Sequence, residues 1–226
     1  MVFLFISLKA FAITGINPTL HPPVEGLPLP IAHKINLEQA VSMILKTEIG
    51  QKFKPDIAEL AGQGKIRLTA LNELHYGESG EGCVVRGGQY FYEGFFIVLN
   101  EKQSIPELAS SLIHETDHYR QIKRINTEKN LIPITIGWLE ISAFATQLYF
   151  ITELEQQGLS NRKALFTKGE GSTFDIMSAS VKAKDKPSDQ SYALAMEKMI
   201  EFGYPPIELQ RSLKVVDQEH CRGAAN

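Results

Sequence analysis

The chain has 226 residues, 43% of them hydrophobic, and a formal net charge of −3 at pH 7. This length and composition favour a single domain with one sizeable core. Lys and Arg are scattered along the chain rather than clustered, so the charge pattern argues against nucleic acid as the main partner.

The first segment, residues 1–16, is mostly apolar and contains Ala10-Phe11-Ala12, which resembles the end of a secretory signal peptide. This pattern predicts export, to a periplasm or out of the cell. Lys9 interrupts the apolar run and no basic residue precedes it. Those two features favour the alternative, a strand or hydrophobic segment on the core of a cytoplasmic protein. In both cases the segment is too short for a stable membrane span.

Residues 17–34 contain five of the eleven prolines, a density that excludes regular helix and predicts an extended linker. The folded domain is then expected over residues 35–226. The sequence leaves open whether the linker covers the functional cleft in a latent precursor. The two cysteines, Cys83 and Cys221, lie far apart and lack the spacing of a zinc knuckle, so a disulfide and two buried thiols both fit them.

In the first part of this domain the sequence predicts two helices followed by short strands. One helix is predicted to begin after its N-cap Asn36 and to end at Gly50, and a short helix follows near residues 56–61. From residue 65 the hydrophobic period changes to two, which predicts a strand. Glycines punctuate residues 77–94 and predict further short strands in a meander, so we expect a small, mostly antiparallel sheet.

The strongest predicted strand is residues 95–100, a continuous apolar run ending in Asn. The residue pattern favours a fully buried central strand. The alternative is an exposed edge strand, along which an extended peptide can be bound through its backbone.

A helix is predicted next, with Ser104 as its N-cap, and it carries a His-Glu-x-x-His motif at residues 114–118. Because a helix advances roughly 100° per residue, His114 and His118 lie one turn apart on one face, with Glu115 beside them. Two imidazoles at that spacing can share one Zn²⁺, and the carboxylate can take a proton from a metal-bound water. This is the machinery of a hydrolase. The alternative is two surface histidines on an ordinary amphipathic helix.

The remainder of the chain predicts three more helices. A long helix is predicted over residues 135–157, and Gly158 is expected to end it. Residues 167–190 are predicted to form a mobile loop, because Gly, Ser and Lys are frequent there. Two helices, near residues 191–202 and 206–218, are expected to close the chain.

A zinc hydrolase normally uses three protein ligands and leaves one position for water, so a third ligand is needed. Glu140 is the candidate, because it lies in an otherwise apolar helical run and would be costly to bury without a charge partner. At this point the sequence resembles the gluzincin group of zinc metallopeptidases, in which a Glu from a following antiparallel helix completes the pair of histidines. The alternatives are a surface Glu at this position and Asp175 as a rival ligand.

The resemblance covers residues 95–157. It implies an α+β, zincin-like fold, in which a small sheet packs on the motif helix and a Glu-bearing helix follows. It also implies zinc-dependent hydrolysis of peptide bonds in a peptide or protein substrate, with His114, His118 and Glu140 as ligands and Glu115 as general base.

This sequence departs from the gluzincin pattern at one position. In some gluzincins an Asp four residues after the ligand Glu orients a histidine, and Phe144 stands at that place here. Support for the histidines must therefore come from elsewhere. Asp117 is a candidate for this support, and the alternative is that it is a solvated helix carboxylate.

Peptide hydrolysis also needs a donor to the oxyanion of the tetrahedral intermediate, besides the metal. Four residues are candidates, and the sequence does not choose among them: Tyr149, Tyr119, His75 and Tyr204. The competing function is a non-catalytic zincin-like module that binds metal for stability or interaction. In such a module a fourth side chain, such as His75 or His220, would close the metal site.

Overall fold

The structure is a computed structural model of the chain. It describes residues 31–69, 73–75, 83–85, 88–91, 96–127, 134–161, 165, 171–204, 206–210 and 212–213. Several sequence-based predictions lie outside these residues, namely the signal-like segment 1–16, most of the proline-rich linker, Cys221 and His220. They stay predictions.

Two helices open the described part of the chain, α1 (Ile31–Ile44) and α2 (Glu48–Gly62). Helix α1 begins before the predicted N-cap, within the stretch predicted as linker. Helix α2 is longer than predicted, because the Thr47 hydroxyl caps its first turn and the Glu153 carboxylate accepts from the Ile49 N–H at 3.0 Å. Gly50, predicted to end a helix, lies inside α2, where a Cβ would collide with the carbonyl oxygen of Ile44.

The main sheet has three strands, β1 (Ile66–Thr69), β4 (Gly88–Phe91) and β5 (Phe96–Asn100), in the order β1-β5-β4. The prediction of a mostly antiparallel sheet is corrected here. β5 pairs parallel with β1 and antiparallel with β4, so this sheet is mixed. Parallel pairing needs a long connection, and the residues between β1 and β5 supply it.

Strand β5 lies in the centre of this sheet, and Ile97, Val98 and Leu99 are buried. The interpretation of this segment as a buried central strand is therefore confirmed for the described residues 96–100, and among the described strands β1 and β4 lie at the edges. A separate antiparallel pair is formed by β2 (Glu73–His75) and β3 (Cys83–Val85). Only the backbone of β2, β3 and β4 is described.

Two long helices follow the sheet, α3 (Ile105–Thr127) and α4 (Ile136–Gln156). Helix α3 begins directly after Ser104 and carries the His-Glu-x-x-His motif. Helix α4 matches its prediction to within one residue at each end, since Thr135 caps it and Gly158 follows it in the left-handed region at φ 67°. The two helices pack against each other, and β4 and β5 lie against α3.

The prediction of a mobile loop over residues 167–190 is wrong, because helix α5 (Gly171–Asp185) occupies most of it. A buried stripe at helical spacing, Ile176, Ala179 and Ala183, packs α5 onto the core. Lys182 and Lys184 lie in its last turn, where positive charge is favourable. Lysine-rich sequence at this point therefore ends a helix rather than forming a loop.

Helix α6 (Asp189–Phe202) confirms the next predicted helix, and Ser188 starts it with a capping box. The final predicted helix, 206–218, is too long. Helix α7 (Pro206–Leu209) is a single turn, after which β7 (Ser212–Leu213) pairs antiparallel with β6 (Ile134–Thr135).

The described residues form an α+β arrangement that is mostly helical. Helix α4 packs against α3 and α5, and most of its residues are buried. No helix in the described ranges is both long enough and apolar enough to cross a membrane.

Candidate metal centre

Helices α3 and α4 bring together three side chains that can bind one metal ion. His114 and His118 lie one turn apart on α3, and Glu140 faces them from the second turn of α4. Each offers one ligand atom, and these atoms all lie within 4.8 Å of one another. Among the described residues, it is the one group of three or more His, Cys, Asp or Glu side chains whose ligand atoms lie this close together.

The distances within this group fit a small divalent ion. The Nε2 atoms of the two imidazoles are 3.2 Å apart. One carboxylate oxygen of Glu140 lies 3.5 Å from His114 Nε2, and the other lies 3.6 Å from His118 Nε2. Two ligands on a tetrahedral Zn²⁺ are separated by about 3.3 Å, given zinc–ligand bonds of about 2.0–2.1 Å. The residues present therefore fit zinc in both donor type and spacing.

The three side chains are shielded from water, with His118 3% and Glu140 6% exposed. Burial disfavours the charged form of both groups, but their mutual attraction outweighs it. The negative charge of Glu140 thus raises the pKa of His118 to about 9. The adjacent imidazoles hold the pKa of the Glu140 carboxyl well below its usual range. The site is therefore built to keep a carboxylate ionised next to positive charge, which a metal ion also supplies.

His114 is oriented by a neutral amide. Its Nδ1 lies 3.1 Å from the Gln147 Oε1, and the Gln147 Nε2 donates to the Ser110 hydroxyl at 2.9 Å. Because the amide N–H₂ has its own acceptor, the amide oxygen faces His114 and receives the Nδ1 proton. The Nε2 lone pair of His114 is then directed toward Glu140, where a metal would bind.

His118 is oriented by a second glutamine. Its Nδ1 lies 3.4 Å from the Gln121 Oε1, while the Gln121 Nε2 donates to the Asp117 carboxylate at 2.8 Å and to the Leu139 carbonyl at 3.2 Å. Asp117 is 9% exposed, so it is not a solvated surface carboxylate. It belongs to the network behind the histidine.

Phe144 takes a packing role at the place where some gluzincins have an Asp. Its ring meets the His114 ring edge-on, with centroids 4.6 Å apart. The hydrogen-bond partner of His114 Nδ1 is Gln147, about one turn further along α4. Sequence analysis missed Gln147. Its signal was a lone Gln two turns after Glu140, on the same face of an otherwise apolar helix.

Among the four oxyanion candidates, the structure brings Tyr204 to the metal-binding group. Its hydroxyl lies 3.4 Å from the Glu140 Oε2, and its ring packs near Phe144. The Tyr149 hydroxyl donates to Asp185. The Tyr119 hydroxyl is hydrogen-bonded to Glu59, and burial together with this bond raises the pKa of Tyr119. These two are held by other partners. His75 lies in β2, and its side chain is outside the description.

The two remaining sequence candidates differ in burial. Asp175, the rival ligand, is exposed on α5. Glu115, the proposed base, is 6% exposed on α3, and its negative charge contributes to the raised pKa of His118. The charge of Glu115 therefore acts on His118.

Comparison of the chain with protein-family models, with curated proteins and with solved structures found no match in any of the three.

Proposed function

We propose that this protein is a zinc-dependent peptidase. The observation that supports the proposal is the convergence of His114, His118 and Glu140, from two helices, with one ligand atom from each within 4.8 Å of the others. Glu115 adds a buried carboxylate on the same helix, which a purely structural metal site does not need. The gluzincin-like order of these residues in the sequence is consistent with the same function.

The chain's residues would share the chemistry as follows. Zinc at His114, His118 and Glu140 would supply Lewis acidity and lower the pKa of a bound water toward about 7. Glu115 accepts a proton from the attacking water and returns it to the leaving amine nitrogen. The Tyr204 hydroxyl, beside Glu140, is the donor we assign to the developing oxyanion.

The sheet offers a means of holding a peptide substrate. Among the described strands, β4 has a partner on one side only, and it packs against the motif helix. An extended peptide can add to such an edge through backbone hydrogen bonds, which accept any side chains. This placement of sheet, motif helix and Glu-bearing helix also supports a zincin-like fold.

The competing candidate is a non-catalytic zincin-like metal-binding module. The observation that favours it is the deep burial of all three ligand side chains, since structural zinc sites are closed to water. Among the described His, Cys, Asp and Glu side chains, none joins these three as a fourth ligand. The peptidase is favoured by Glu115, a buried carboxylate for which a structural site has no role.

Replacing Glu115 with Gln tests the proposal. The parent is loaded with zinc and assayed on an unfolded, fluorescently labelled protein substrate. We expect E115Q to retain one zinc per chain and to lose at least about 100-fold in turnover, because general base catalysis contributes roughly 10²–10⁴-fold. The matched control is E197Q, the same change at an exposed position on α6.

Two results would count against the peptidase. Parent-like turnover by E115Q excludes Glu115 as the base. Zinc binding by the parent with no hydrolysis of any unfolded protein or peptide supports the non-catalytic module instead.

A further inference from the structure

Asp117 is the centre of a hydrogen-bond network that joins three helices. Its Oδ2 accepts from the Gln121 amide at 2.8 Å, from the Ser142 hydroxyl at 3.3 Å and from the Thr146 hydroxyl at 3.4 Å. Both hydroxyls in turn accept from the Lys184 ammonium, at 3.3 and 3.1 Å. The network therefore runs from α5, through α4, to the motif helix α3.

This network offsets the unfavourable free energy of burying the Asp117 carboxylate. A carboxylate that is 9% exposed needs hydrogen-bond donors and a nearby positive charge. Ser142 and Thr146 each have one hydroxyl proton, and both donate it to Asp117 while Lys184 fills their acceptor positions. The Lys184 ammonium is thus linked to the Asp117 carboxylate by hydrogen bonds through two hydroxyl groups.

Helix geometry explains how a third residue can link Asp117 to His118 by hydrogen bonds. Asp117 and His118 are sequence neighbours, so their side chains point about 100° apart on α3. Gln121 lies four residues after the first and three after the second, which places it next to both. It is the one position on this turn that can bridge them.

Gln121 has one orientation available in this environment. Its N–H₂ group donates to both Asp117 and the carbonyl of Leu139, so its oxygen must face the Nδ1 of His118. That oxygen faces Nδ1, so the Nε2 of His118 is directed toward His114 and Glu140, where a metal would bind. The charge on Asp117 fixes the amide, and the amide fixes the imidazole.

We propose that Asp117 is a positioning residue for the metal ligand His118, acting through Gln121 and held in place by Lys184. The role rests on the proposed zinc site. A partner behind a metal-bound histidine typically changes metal affinity by about 10–100-fold when it is removed. Asp117 and Gln121 should therefore control zinc affinity without contacting the ion.

A double-mutant cycle on zinc affinity tests this relay. The variants are D117N, Q121L and their combination, and the dissociation constant is measured by competition with a chromophoric chelator. We expect each single variant to weaken zinc binding about tenfold. The double variant should be no weaker than Q121L alone, because Asp117 acts through Gln121. Q156L, an exposed position on α4, is the matched control and should bind zinc like the parent.

Two further readouts separate positioning from folding. The visible spectrum of the Co²⁺-loaded protein reports ligand geometry, and it should change in Q121L but not in Q156L. If Q121L does not fold, Q121N serves instead, because it keeps the amide but is too short to bridge Asp117 and His118. We expect the same loss of affinity from Q121N.

The outcomes distinguish this inference from the proposed function. Parent-like zinc affinity in Q121L or Q121N overturns the relay while leaving the zinc site intact. A D117N effect that is equally large with and without Gln121 also overturns it, since Asp117 would then act by its charge alone. A parent protein that binds no zinc overturns both.

Discussion

The two imidazoles of the metal centre are supported in different ways. His114 is backed by Gln147 and Ser110, a neutral chain that begins and ends on α3. His118 is backed by Gln121 and the charged Asp117, which connects to α4 and α5. Both arrangements place an amide oxygen at Nδ1 and direct Nε2 toward Glu140. The comparison shows that the same ring orientation can be set by a local neutral chain or by a charged one that spans three helices.

The largest effect is expected from the residue that both imidazoles share. E140A removes the carboxylate that faces each histidine, so zinc affinity should fall by more than about 100-fold, beyond the loss expected for supporting residues. Chelator competition measures it, with E197A as the exposed control. Full zinc occupancy of E140A at low free metal would place the third ligand elsewhere.

The second effect concerns pH and the metal-free protein. The folded-state pKa of His118, about 9, exceeds its ordinary value of 6.5. The stability that His118 supplies is therefore complete below pH 6.5 and is lost as pH rises through 9. Glu140 has a depressed pKa, so its contribution is present above about pH 4.5 and is lost as pH falls further.

We therefore expect chelator-treated protein to lose about 3 kcal/mol of unfolding free energy between pH 6.5 and 9.5. Urea unfolding can be followed by the fluorescence of Trp138, the one tryptophan of the chain. The zinc-loaded protein is the control, and its stability should not fall in this range, because zinc binds the deprotonated imidazole. An unfolding free energy of the metal-free protein that does not change with pH in this range would contradict the ion pair between His118 and Glu140.

The third prediction compares the two supporting chains directly. Q147L should weaken zinc binding about tenfold, as Q121L does, because each leaves one imidazole without its acceptor. The double variant should bind zinc about 100-fold more weakly than the parent, since the two changes act on different histidines. Chelator competition on the three variants measures this. A combined effect no larger than a single one would show that both glutamines belong to one unit.

The smallest effect is expected at the far end of the charged chain. K184M leaves Asp117 without its nearby cation, but Lys184 is only part-buried, so solvent replaces much of the interaction. The unfolding free energy should fall by about 1 kcal/mol. K182M, an exposed lysine on the same helix, should change it by less than about 0.5 kcal/mol. An equal loss of unfolding free energy in K184M and K182M would show that Lys184 does not stabilise the network.

The metal-binding trio was accessible to sequence analysis because it depends on local rules. Helical spacing fixes the relation of His114 to His118, and an isolated Glu in an apolar helix indicates a buried charge partner. The long helix α4 was predictable for the same reason, since its N-cap and its following glycine are both local signals.

The hydrogen-bonded residues behind the two histidines could not be predicted from the sequence, because their contacts depend on how the helices pack. Gln121 has no pattern that assigns it to a histidine, and the position of Gln147 on the Glu140 face indicates a polar contact without identifying its partner. Lys184 lies in a segment whose composition favoured a loop. The parallel pairing of β1 and β5 likewise depends on a long connection whose path the sequence does not encode locally. Tertiary contacts decided these features.

The most direct test of the central claim is a crystal structure of zinc-loaded protein with anomalous data collected at the zinc edge. The account predicts a single anomalous peak about 2.0–2.2 Å from His114 Nε2, His118 Nε2 and a Glu140 oxygen, with water as the fourth ligand. A peak bound by a fourth protein side chain, or no peak among these three residues, would contradict it.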